Sequence, residues 1–158
     1  MNMAVATKTI ATFVPAVTAK AESRIGQTLG LKSMDVPSLI NAVAAGLSWR
    51  KVRKFLDATG LTQQELANYL DIPERTFARR REAGAFDRRE SEQLLRLAEI
   101  WEAALGLFDG DAARTHSWLT SKRRRSLGGV RAIDYAKNEF GAREVRALIG
   151  RMEDGVIS

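Results

Sequence analysis

Leu61-Thr62-Gln63-Gln64-Glu65-Leu66-Ala67-Asn68-Tyr69-Leu70-Asp71-Ile72-Pro73-Glu74-Arg75-Thr76-Phe77-Ala78-Arg79-Arg80-Arg81 reads as two short helices joined by a tight turn. Thr62 with Glu65 three residues on makes a capping box at the first helix. Leu66, Ala67 and Leu70 then share one face at helical spacing. Asp71-Ile72-Pro73 ends that helix, because proline cannot extend it but suits the start of the next. Glu74 sits in the first turn of the second helix, at the positive end of its dipole. On that helix Phe77 marks the buried side. At about 100° per residue, Arg75 and Arg79 fall nearly opposite it, with Thr76 and Arg80 on the flank. Such a face suits a recognition helix in a major groove, where arginine pairs with guanine or grips phosphate. A solvated basic helix on a generic helical protein is the alternative.

Outward from this pair the chain reads as all-α, a helical bundle around the helix-turn-helix. Upstream, a helix beginning near Pro37 has Asp35 as cap, Ile40, Val43 and Ala44 as apolar side, and Gly46 as stop. Ser48 caps the next, Trp49 to Ala58, with Val52, Phe55 and Leu56 inward. Residues 1–34 form an expected flexible leader. Its only candidates for weak docking are Ile25, Leu29 and Leu31. Thr12 and Pro15 interrupt the apolar run 10–17, so a secretion signal is not expected.

Downstream, Asp87 and Glu90 form a second capping box, opening a helix that runs to about Phe108. Leu94, Leu97, Ala98, Trp101, Ala104, Leu105 and Phe108 make its stripe. Leu95, Ile100 and Leu107 fall outside it. A helix apolar on more than one side needs a second packing partner. Either a second copy of the chain or the C-terminal region fits, and a homodimer suits a two-fold operator. Asp111 caps a helix to Leu119, Gly128-Gly129 gives a bend, and helices follow over Ala132 to Glu139 and Ala142 to Glu153, separated by a break at Gly141. The expected organisation is 1–34 leader, 35–108 DNA-binding and dimerisation domain, 109–158 C-terminal domain.

The formal charge is +6 with 25 Lys and Arg against 19 Asp and Glu, which points to an anionic partner such as nucleic acid. There is no cysteine and one histidine, His116, so neither a thiol site nor a metal cluster is expected. No set of residues reads as a catalytic constellation. The expectation is a non-enzymatic protein without cofactor, cytoplasmic, and at the nucleoid when bound to an operator. No apolar run approaches the ~20 residues of a membrane span.

Two halves together resemble the MbcA/ParS/Xre antitoxins. Leu61 to Leu107 is similar to their Xre-type helix-turn-helix. Trp118-Leu119, Leu127-Gly128-Gly129, Gly141-Ala142-Arg143-Glu144-Val145 and Leu148-Ile149-Gly150-Arg151-Met152-Glu153-Asp154-Gly155-Val156 resemble their toxin-neutralising half. The family often carries prolines around the Leu-Gly-Gly element, where this chain has Lys122 to Arg125 before it and Val130 after. The resemblance implies an antitoxin of a type II pair, whose partner is a RES-domain toxin that depletes NAD. It also implies that the C-terminal region covers the toxin's active site while the helix-turn-helix represses the operon. DNA contacts are then expected from Gln63, Gln64, Arg75, Thr76, Arg79 and Arg80. Toxin contacts are expected from Lys122, Arg123, Arg124, Arg125, Leu127, Gly128, Gly129, Arg143, Arg146, Arg151 and the tail Gly155, Val156, Ile157, Ser158. The basic side chains complement a site for an anionic dinucleotide. Two further readings remain: a dimeric repressor with a ligand-sensing C-terminal domain, and a helical adaptor using the basic loop.

Overall fold

A computed structural model of the chain describes residues 26–31, 35–121 and 125–155. The described residues form eight α-helices: α1 Val36–Ala45, α2 Trp49–Thr59, α3 Gln63–Leu70, α4 Glu74–Ala83, α5 Arg88–Leu107, α6 Ala112–Thr120, α7 Ala132–Tyr135 and α8 Glu139–Glu153. A single 3-10 turn, Arg125–Leu127, lies between α6 and α7. None of these helices is long and apolar enough to cross a membrane.

The caps follow the local chemistry. Asp35, Ser48 and Asp111 each accept a backbone N–H of the helix they open. Both expected capping boxes are reciprocal: Thr62 with Glu65 on α3, Asp87 with Glu90 on α5. Asp71 and Gly84 close α3 and α4 in the left-handed conformation.

The 20-residue α5 is the spine. It packs against α1, α2, α3, α6 and α8, so one continuous core runs through the chain. Ile100 is fully buried, and Leu95 and Leu107 pack on the same core. The second side of α5 is therefore covered within the chain, and these three residues carry no argument for a second copy.

Three expectations are corrected. On α1 the inward residues are Leu39 and Val43, continued by Leu47, while Ile40 stands 60% exposed and Ala44 is exposed. Both phases of the helical period contain Val43, and the neighbouring elements decide between them. Gly141 is not a break. Asn138 caps α8, accepting the Gly141 N–H at 2.9 Å, and the helix runs through the glycine. Leu29 does not dock weakly but is fully buried.

Around Leu29, residues 26–31 form a turn fastened to α5. Glu102, itself buried, accepts the Thr28 N–H at 2.9 Å and the Thr28 hydroxyl at 2.6 Å. Burial raises the Glu102 carboxyl above its ordinary value of 4.5, and the hydrogen bonds from Thr28 oppose this. A folded-state pKa above the unfolded one means that the fold holds the proton more tightly. That stability is fully present below the unfolded pKa and is lost as pH rises through the folded one. Glu102→Gln removes the titration. Its melting temperature is expected to gain on the wild type as pH rises from below 4.5 to neutrality. A difference in melting temperature that stays constant over that range contradicts the assignment.

Candidate functional site

The α3–turn–α4 pair is positioned by aromatic packing. Phe77 is buried between Trp49, edge-on with centroids 6.1 Å apart, and Phe86, at 5.4 Å. Backbone bonds between the two flanking loops hold this arrangement: Trp49 N–H to Gly84 O at 2.8 Å and Phe86 N–H to Leu47 O at 2.9 Å. With Phe77 fixed inward, Arg75 and Arg79 are exposed and Thr76 is half-buried beside them. Gln63 and Gln64 are exposed at the N-terminus of α3. Both helices line an open groove of about 340 Å³ that includes Gln63, Gln64, Glu74 and Arg81.

Two arginines behave differently from their neighbours. Arg80 turns back onto the start of α5. Its Nε donates to Glu90 Oε2 at 2.9 Å and its Nη2 to Asp87 Oδ2 at 3.1 Å, so it clasps the second capping box. The α4 wheel places Arg80 on the flank, but its partners lie seven and ten residues further on. Arg81, not singled out in the sequence, donates to Gln63 Oε1 at 2.8 Å and ties α4 to α3 across the turn. Its spacing of four from Phe77 is the available signal.

In the C-terminal part, α8 lies along α5 with a charged seam. Arg146 reaches Glu99 at 2.6 Å and Glu139 at 3.1 Å, and Arg96 reaches Glu139 at 3.1 Å. Burial raises the Glu99 carboxyl, against the pull of Arg146. Arg146 is thus engaged in holding α8, whereas Arg143 and Arg151 are exposed on its outer side. Leu127 is a core residue. Gly128 and Gly129 turn the chain with φ of 62° and 77° in open space. Gly155 is exposed just past α8. The expected contacts Lys122, Arg123, Arg124, Val156, Ile157 and Ser158, and the side chain of Arg125, lie outside the described residues.

The two parts are fastened together. The Tyr69 hydroxyl of α3 donates to Ala136 O at 3.3 Å, in a setting where burial pushes the phenol's pKa upward. His116 of α6 stands 3.8 Å from the capping carboxylate Glu65.

This geometry defines a helix-turn-helix protein with a second helical unit packed on its spine. A family model described as the antitoxin Xre-like helix-turn-helix domain matches residues 38–99. A second, described as the antitoxin Xre/MbcA/ParS C-terminal toxin-binding domain, matches residues 103–155. A protein named Antitoxin Xre from Yersinia enterocolitica serotype O:8 / biotype 1B is 30% identical over 131 residues, 82% of this chain and 88% of that protein. Another Antitoxin Xre, from Photorhabdus laumondii subsp. laumondii, is 29% identical over 133 residues, 84% of this chain and 89% of the relative. The chain belongs to the Xre antitoxin family and carries both its helix-turn-helix and its toxin-binding domain.

Proposed function

We propose that this antitoxin neutralises a RES-domain, NAD-depleting toxin by covering the toxin's active site with its C-terminal region. It binds operator DNA through α4 and so represses its own operon. The observation that carries the DNA half is the outward pair Arg75 and Arg79 on a helix whose opposite face is locked by Phe77. Thr76 flanks them, and Gln63 and Gln64 stand where helix N-termini meet phosphate. For the toxin half, Arg143 and Arg151 on the exposed side of α8 remain as expected contacts, with Gly155 just past its end and Gly128 and Gly129 at the turn. A homodimer belongs to this reading; with Leu95, Ile100 and Leu107 covered within the chain, its support is the two-fold operator that helix-turn-helix proteins commonly bind.

Arg79→Ala is expected to weaken operator binding by about 1–3 kcal/mol if the guanidinium reads a base. A gel-shift titration at fixed salt measures it. Unchanged affinity removes Arg79 from the interface, and unchanged affinity in Arg75→Ala as well contradicts α4 as the recognition helix.

A further inference from the structure

Phe140 is the most exposed large apolar side chain among the described residues, at 79%. Its position has no capping purpose: it follows Asn138, the cap, and Glu139, the first residue of α8. Gly141 lets the start of α8 press against the Tyr135 carbonyl, and Phe140 is left standing outward. Beside it lies an open groove of about 420 Å³, whose lining includes Val130, itself 42% exposed, Tyr135, Phe140 and Gly141. The groove's charged residues are carboxylates, Asp134 and Glu144. Asp134 is held by Arg131 at 2.6 Å. The lining is mixed: Val130, Tyr135 and Phe140 supply its apolar part, and Asp134, Asn138 and Glu144 its polar part.

An exposed aromatic with other apolar side chains beside it and polar groups around it is the kind of anchor from which protein interfaces draw most of their energy. The groove lies wholly within the stretch matched by the toxin-binding domain, and Val130 directly follows the Gly128-Gly129 turn. We propose that Phe140 is an anchor for the toxin. Its ring and Val130 take an apolar segment of the toxin's surface, and Glu144 meets basic or amide donors beside that segment. This rests on the toxin-neutralising reading above. It adds an aromatic contact to a surface otherwise argued from basic residues, the Leu127-Gly128-Gly129 turn and the tail.

The test is a binding titration of purified chain against the RES-domain toxin of its own gene pair. Wild type, Phe140→Ala and Val36→Ala are compared; Val36 is a matched exposed apolar residue on α1, 65% exposed. Phe140→Ala is expected to bind about 30-fold or more weakly, the loss typical of an interface hot spot. Val36→Ala is expected to bind toxin as wild type does. Both variants are expected to melt with the wild type, because neither ring nor branch belongs to the core. Wild-type affinity in Phe140→Ala overturns the anchor and leaves the neutralising reading intact. Equal weakening in both variants also overturns it, as does a Phe140→Ala chain that loses only self-association, which makes the occupant a second copy. A wild-type chain that fails to bind the toxin removes the underlying reading and the anchor with it.

Discussion

Gly141→Ala is expected to destabilise the protein by about 3 kcal/mol or more, the upper end of overpacking costs. In most helix interiors the same change stabilises, because glycine there costs about 0.5–1 kcal/mol relative to alanine. The sign reverses here for a steric reason. A Cβ on Gly141 falls inside the van der Waals radius of the Tyr135 carbonyl oxygen and 2.8 Å from its carbon. Those are backbone atoms at the end of α7, so no rotamer change relieves the clash. Either α8 moves off α7, or the chain between Ala136 and Asn138 reorganises and the Asn138 cap is lost. For a domain of this size the penalty corresponds to a fall in melting temperature of roughly 6–12 °C. Gly150 on the same helix is the internal control. A Cβ there meets nothing within 4 Å, so Gly150→Ala is expected to gain about 0.5–1 kcal/mol. Thermal denaturation of the pair is the measurement, and shifts of the same sign contradict this account of α8.

Arg80→Ala is expected to lose stability, where Arg79→Ala is expected to lose DNA affinity. Glu90 is buried at 4% exposure, and Arg80 supplies its charged partner. Removing one member of a buried pair costs about 3–5 kcal/mol, because the other charge is left without compensation. Arg80 is 29% exposed, and Glu90 keeps the Asp87 N–H at 2.9 Å. The expected loss is therefore smaller, about 2–3 kcal/mol, or roughly 4–12 °C in melting temperature. Arg80→Lys is expected to recover only part, since a point charge cannot reach Glu90 and Asp87 together as the forked guanidinium does. Arg79→Ala, at an exposed position, is expected to stay within about 0.5 kcal/mol of the wild type. Melting temperatures measured beside gel shifts separate the two roles. A fully stable Arg80→Ala returns that side chain to the list of DNA contacts.

The contrast between these arginines shows where sequence reading stops. Capping is local, so Asp35, Ser48, Thr62 with Glu65, Asp87 with Glu90 and Asp111 were all legible as helix starts. The outward direction of Arg75 and Arg79 was legible too, because Phe77 sets the phase of its own helix. Arg80 was not, since its contact with the next helix depends on the angle between α4 and α5. The phase of α1 failed for a related reason. Ile40 and Leu39 are equally apolar in sequence, and only the placement of α5 selects Leu39 for burial. Gly141 looked like punctuation because a glycine required by a neighbouring carbonyl and a glycine that ends a helix read alike. Phe140 gave no signal, as a single aromatic near a helix start has no periodicity.

The family's two domains form one packed body in this chain, joined through α5, the Tyr69–Ala136 hydrogen bond and the His116–Glu65 approach. The measurement that bears most directly on the proposed function is the rate of NAD consumption by the purified RES-domain toxin, titrated with this antitoxin. The rate is expected to fall to background once the complex is saturated, and to return when the antitoxin is removed. A toxin that consumes NAD at its full rate under saturating antitoxin contradicts the account.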